Sequence, residues 1–180
     1  MRRTVLSAVC LIAVVCFSVL PAVAQQVTKE DVSGVRNFKR LETTVACAGA
    51  TSAEAVPDIK KMGFASIINL RRADEEGANV EAEAAAAKVA GIRYYHIPFD
   101  GSKPDPAVAS QFLDAITANG SEPAFIHCAG GNRAAAMWLI KRLAVDHWDV
   151  ERATKEATDL GMTSDALRQF AIGFAQSHKR

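Results

Sequence analysis

The sequence predicts a single α/β domain: a central, mostly parallel sheet of four to five strands flanked by helices, with a helical C-terminal part. Three observations predict it. Short apolar runs at Phe64 to Leu70, Ile92 to Pro98 and Ala124 to His127 alternate with longer segments of helical pattern, the order that crossover connections impose on parallel strands. Glycine stands at the expected helix exits, at Gly63, Gly91, Gly120 and Gly161, where a left-handed residue closes the last turn. No repeat or low-complexity linker divides the chain, and its length suits one core.

The elements follow in order. In residues 1–24, Arg2-Arg3 precede an apolar stretch from Val5 to Leu20, then Pro21 and the small-residue pattern Ala22-Val23-Ala24. This is the pattern of a cleaved secretory signal, so a periplasmic or secreted location is expected. Residues 25–36 form a polar lead-in, and 37–180 the domain proper, beginning with β-favouring pieces such as Thr43-Thr44-Val45. Thr51 or Ser52 can cap a helix running to Met62, although Pro57 suits a first helical turn better. Phe64 to Leu70 reads as a buried strand. Asn79 caps an alanine-rich helix ending near Ala90, and Ile92 to Pro98 is the next strand. Turn signals from Asp100 to Pro106 lead to a helix over about 107–118. Ala124 to His127 is a strand, and helices over about 132–145, 149–160 and 164–177 close the chain.

Composition excludes several functions. Cleavage after Ala24 leaves 19 Lys and Arg against 20 Asp and Glu, a formal charge of −1. No basic field exists to recruit nucleic acid or an anionic membrane. Cys47 and Cys128 are the cysteines beyond the signal segment. Two cysteines build no disulfide scaffold and match no zinc spacing. The chemistry read below needs no metal or cofactor.

That chemistry lies in His127-Cys128-Ala129-Gly130-Gly131-Asn132-Arg133. Ligands of parallel α/β sheets bind beyond the carboxyl ends of strands, where Cys128 stands. The loop Ala129, Gly130, Gly131 and Asn132 lacks bulky side chains, so its N–H groups can converge on a tetrahedral oxyanion at a helix N-terminus. The same dipole favours a thiolate over a thiol. Arg133 adds a planar fork matching two oxygens of the anion. A nucleophile, an amide nest and a fork suit attack on phosphorus. Arginine at a helix N-terminus opposes the dipole, and a bound anion would compensate it. His127 reads as a buried residue supporting the loop through hydrogen bonds.

With those residues in view, the chain resembles a cysteine-dependent phosphatase of the dual-specificity superfamily, and most closely the bacterial beta-lactamase hydrolase-like phosphatase family. The resemblance covers about residues 35–145. It is carried by Asn37-Phe38, Gly49, Gly63-Phe64, Ile67-Ile68-Asn69-Leu70-Arg71, Ile97-Pro98, and His127-Cys128 with Gly130 and Arg133. It implies a phosphomonoester hydrolase working through a phosphocysteine on Cys128. It also implies a general acid on the loop before the nucleophile, placed here at Asp100. Asp105 is the alternate, although Asp105-Pro106 also suits a helix entry. The implied partner is a phosphorylated small molecule or peptide.

Two departures bear on this reading. Four residues separate Cys128 from Arg133, where most superfamily members have five. The short loop is shared with many rhodanese-type sulfurtransferases, which would hold a persulfide on Cys128. Ala134 stands where the superfamily usually places a hydroxyl that assists the departing thiolate, which keeps a third reading open: a phosphate-binding module with little turnover. Among the remaining residues, Arg71 is expected to tie loops together through carboxylates such as Glu75, and Trp138 to pack in the core. Cys47 is buried structure or a disulfide partner for Cys128.

Overall fold

Ala124–His127 is buried at every position, as a strand covered on both faces must be. It is the inner strand β6 of a six-stranded sheet that also contains β1 (Val27–Lys29), β2 (Lys39–Leu41), β3 (Val45–Ala48), β4 (Ser66–Asn69) and β5 (Arg93–His96). The computed structural model describes residues 26–178; the expected export segment, 1–24, lies outside them. The strand order is β1-β2-β3-β6-β4-β5. β3, β6, β4 and β5 run parallel, and β1 and β2 add an antiparallel edge. The sheet is therefore wider than the four to five strands expected. Part of the polar lead-in pairs as β1, because its backbone has a ready edge on β2 and needs little apolar content to use it.

Six helices flank the sheet: α1 (Val56–Lys61), α2 (Val80–Ala90), α3 (Pro106–Thr117), α4 (Asn132–Ala144), α5 (Val150–Asp159) and α6 (Asp165–Ser177). Side-chain caps start α2, α3, α5 and α6, where Asn79, Asp105, Asp149 and Ser164 each accept a backbone N–H. The segment after Gly49 departs from expectation. Ser52 precedes a short 3₁₀ turn, Ala53–Ala55, without a side-chain cap, and α1 begins at Val56 with Pro57 in its first turn. Proline has no N–H to leave unsatisfied there.

Strand alternation sorts β6 onto two cores. Phe125 faces α1 and α2, stacking on Phe38 and meeting Phe64 edge-on. Ile126 and Cys128 face the larger core beneath α3, α4 and α6. Every residue of α4 from Ala134 to Ala144 is buried, so this helix is clamped between the sheet and the C-terminal helices. Its one strongly polar stretch is satisfied locally. Glu156 accepts from Trp138 Nε1 at 2.6 Å and from Arg142 Nε at 2.7 Å, tying α4 to α5. The loop before α4 thus starts from an inner strand and ends in a clamped helix.

Candidate active site

Gly131 is where the backbone leaves β6 and enters α4. It has φ +103° and serves as the N-cap of α4 with no capping side chain. The first N–H groups of this helix are therefore available, unlike those of the capped helices. One is already engaged by the loop's own thiol: Gly131 N–H donates to Cys128 Sγ at 3.1 Å. Cys128 is 1% exposed yet lines a cavity of about 370 Å³ together with Gly130, Asn132, Arg133, Glu75 and Asp100. The structure thus brings Cys128, Gly130, Asn132 and both charged candidates, Arg133 and Asp100, to one opening, while Ala129 and Gly131 do not line it. Asn132 turns outward and accepts from the N–H groups of Thr163 and Ser164 at 2.9 and 3.2 Å, pinning the start of α4 to the start of α6.

Arg133 is held by a partner that spacing along the chain did not disclose. Its Nη1 and Nη2 donate to the two oxygens of Glu75 at 2.6 and 2.7 Å, and Nη1 also donates to the Phe99 carbonyl at 2.8 Å. Burial on its own would push Glu75 up, but Arg133, the Arg72 N–H and Arg71 outweigh it and bring the carboxyl down to about 2. Burial likewise opposes the charge on Arg133, and Glu75 with Cys128 more than restores it. Arg71 has the expected role: it reaches Glu75 at 3.4 Å and the Gly77 carbonyl at 2.9 Å.

Asp100 sits at the rim with both oxygens engaged. Oδ1 accepts from Ser102 N–H and Oγ at 2.9 and 2.7 Å, and Oδ2 lies 3.2 Å from Arg72 Nη1. The Ser102 bonds, with Arg72 beyond them, hold its carboxyl below the ordinary aspartate value. Asp105 does not line this opening; it caps α3 through Ala107 N–H at 2.8 Å.

His127 departs from expectation. It is fully buried and forms no hydrogen bond to the loop. Alternation along β6 turns it away from Cys128 toward α2, where Nε2 lies 2.8 Å from Glu83 Oε1, an ion-pair separation without hydrogen-bond alignment. Glu83 Oε2 in turn accepts from Asn69 Nδ2 at 2.9 Å, and Asn69 also meets Tyr94 OH at 2.9 Å. Burial, then the Glu83 charge, raise the Tyr94 phenol well above its ordinary value. Among the described residues no group of three or more His, Cys, Asp or Glu could hold a metal ion.

The profile of the family described as beta-lactamase hydrolase-like protein, phosphatase-like domain, matches residues 37–145. The chain belongs to this family. It is 33% identical over 104 residues to the beta-lactamase hydrolase-like protein of Agrobacterium fabrum, covering 56% of this chain and 24% of that one. The Xylella fastidiosa protein of the same description is 32% identical over 102 residues, covering 55% and 23%. The chain therefore spans about a quarter of the length of these relatives. Among solved structures it is similar to a candidate phosphatase of Shewanella putrefaciens, with TM-score 0.69, 17% identity, and 83% of this chain and 97% of that one covered. The core catalytic domain of the S. cerevisiae PP-IP phosphatase SIW14, in complex with citrate, gives 0.61, 18%, 79% and 87%. A cysteine-to-serine variant of P. aeruginosa TpbA in complex with pTyr gives 0.59, 19%, 87% and 90%. The fold is that of the cysteine-dependent phosphatases.

The residues on which the resemblance was read now have physical reasons. Asn37, at φ 52°, donates to the Gly130 carbonyl at 3.1 Å. At Gly49 a Cβ would stand 2.9 Å from the Ala129 carbonyl oxygen, so only glycine lets β3 approach the loop so closely. Asn69 Oδ1 accepts the Arg71 N–H at 2.8 Å, turning the chain at the end of β4. Cys47 is a free, buried thiol on the Cys128 side of the sheet. Burial first, and Cys128 second, push it well above the ordinary thiol value.

Proposed function

We propose that the protein is an exported phosphatase that hydrolyses a phosphomonoester through a phosphocysteine on Cys128. The observation that carries this reading is the two-point grip of Glu75 on Arg133 beside a thiol that already accepts a loop N–H. Such a grip holds the guanidinium rigid at the cavity mouth, ready to present its remaining donor edge to phosphate oxygens.

In the first step Cys128 Sγ attacks phosphorus and the bond to the leaving-group oxygen breaks. Asp100 supplies the proton that oxygen needs. In the second step water attacks phosphorus, Asp100 takes its proton, the S–P bond breaks and orthophosphate leaves. Loop N–H groups and Arg133 share the charge on the equatorial oxygens in both steps. Export rests on the segment 1–24, which places the substrate, a phosphorylated small molecule or peptide, outside the cytoplasm.

Hydrolysis of a chromogenic phosphomonoester by the purified protein tests this reading, with Cys128→Ser abolishing turnover and acid quenching trapping labelled phosphate on the unaltered chain. Turnover confined to sulfur transfer from thiosulfate to cyanide would replace it with a persulfide chemistry on the same cysteine.

A further inference from the structure

We propose that Lys29 and Lys39 form a second anion subsite beside the catalytic loop, so that the substrate carries a second phosphate-like group besides the one attacked. The proposal rests on the phosphatase reading of the loop and specifies its substrate class.

The two lysines face each other directly across the antiparallel pair β1–β2. Like charges at such positions repel and destabilise a strand pair. Three lysines elsewhere are compensated by carboxylates: Lys61 by Asp58, Lys141 by Glu122 and Asp146, Lys155 by Asp159. Neither the Lys29 nor the Lys39 ammonium forms a hydrogen bond or ion pair with another described residue, and Asp159, which shares a neighbouring cavity with them, is paired with Lys155. Lysine on an edge strand discourages aggregation, which suits Lys29. β2 is not an edge, however, and Lys39 is half-buried with its ammonium against Gly161 at the exit of α5.

The position of the pair gives the repulsion a use. Lys29 and Lys39 line a cavity of about 520 Å³ that Gly130, Gly131 and Asn132 also line. Gly130 and Asn132 also line the cavity that holds Cys128 and Arg133. The two openings therefore adjoin along the catalytic loop, and at Gly130 a Cβ would meet nothing within 4 Å. An anionic group of a ligand seated on the loop can reach over this low wall and take the place of the missing counter-charge. Both ammoniums would then donate charge-assisted hydrogen bonds to it.

Calorimetric binding of orthophosphate, tripolyphosphate and longer linear polyphosphate to the Cys128→Ser protein, at one fixed ionic strength, tests this. The expected result is that a polyphosphate binds about tenfold more tightly than orthophosphate, and that adding Lys29→Gln and Lys39→Gln brings the preference within about twofold. Removing the same charge elsewhere, by Lys61→Gln and Lys88→Gln, should leave the preference intact. Orthophosphate binding with no polyphosphate preference, or equal losses in both lysine pairs, overturns the subsite and leaves the phosphatase reading standing. Lysine-dependent polyphosphate binding without any orthophosphate binding keeps the subsite and overturns the loop as a phosphate site. Failure of both anions to bind overturns both.

Discussion

Glu75 takes both terminal nitrogens of Arg133, at 2.6 and 2.7 Å, across 58 residues of chain. Both groups are largely withdrawn from solvent, each side chain being 14% exposed, so removing one partner costs more than it would in an exposed ion pair. In the proposed reaction its value is orientation: an arginine fixed at one edge has one edge left for phosphate. Glu75→Gln is expected to lower kcat/KM on a phosphomonoester by about 10- to 100-fold, the range in which small misplacements of a binding group fall.

The same carboxylate sets a stability window. Its folded value of about 2 lies below the ordinary 4.5, so its contribution is complete above 4.5 and is lost as pH falls toward 2. Thermal midpoints followed down through this window should fall more steeply for the unaltered protein than for Glu75→Gln. Parallel curves would show that the grip contributes nothing to folding.

Gly49 gives a prediction about packing. A Cβ there meets backbone oxygens on two sides, Ala129 O at 2.9 Å and Arg36 O at 3.0 Å, and backbone cannot rotate away as a side chain can. Gly49→Ala should destabilise by about 1–3 kcal/mol, the usual cost of overpacking. Because the displaced atom belongs to the catalytic loop, activity should fall along with the urea midpoint. Loss of stability alone would mean that β3 yields and the loop does not.

Much of this organisation was legible in the chain. The strand at Ala124–His127, the helix starts at Asn79 and Ser164, and the loop from Cys128 to Arg133 all follow from local pattern, because caps, glycine exits and apolar runs act within a few residues. What escaped acts at long range. Glu75 was read as a partner of Arg71, four residues away, and its stronger bond to Arg133 depends on β4 and β6 lying side by side. Glu83 drew no separate reading within its alanine-rich helix, yet it is buried against His127 and Asn69. β1 was read as a loose lead-in because three residues with two polar side chains carry no apolar signal; the open edge of β2 defines it.

The buried carboxylate carries its own prediction. Glu83→Leu leaves Asn69 Nδ2 and Tyr94 OH without their shared acceptor, and His127 without the carboxylate beside it, in a buried interior. Breaking such a cluster from one side should cost about 3–5 kcal/mol. Chemical denaturation measures it, and a loss below about 1 kcal/mol would mean that water or a neighbouring carbonyl replaces the carboxylate.

Asp100 yields a prediction whose sign follows from its surroundings. A general acid works only while protonated, and Ser102, then Arg72, hold this carboxyl below its ordinary value. Rates on alkyl phosphates, whose leaving oxygen needs the proton, should therefore fall as pH rises from the acidic side. Aryl phosphates, with weakly basic leaving groups, should fall less. Ser102→Ala removes the Oγ hydrogen bond to the ionised form and leaves the backbone one, so it should move the falling limb toward higher pH. An alkyl-phosphate profile unchanged in Ser102→Ala and in Asp100→Asn would remove Asp100 from the mechanism.

Ala134 governs the second half of the proposed reaction. It is fully buried in the first turn of α4, one residue after Arg133, the place from which a hydroxyl could donate to Sγ as the S–P bond breaks. Without that donor the departing thiolate relies on Gly131 N–H and the loop dipole, so breakdown of the phosphocysteine should be slower than its formation. Rapid mixing with an aryl phosphate should then show a burst of phenol followed by a slower steady state. Ala134→Ser adds one hydrogen bond to a developing anion, worth about 1 kcal/mol net, or roughly fivefold in rate. The steady-state rate should rise by that factor while the burst shrinks. A burst that persists unchanged in Ala134→Ser would place the slow step in product release, and the short loop would then be sufficient to expel the thiolate by itself.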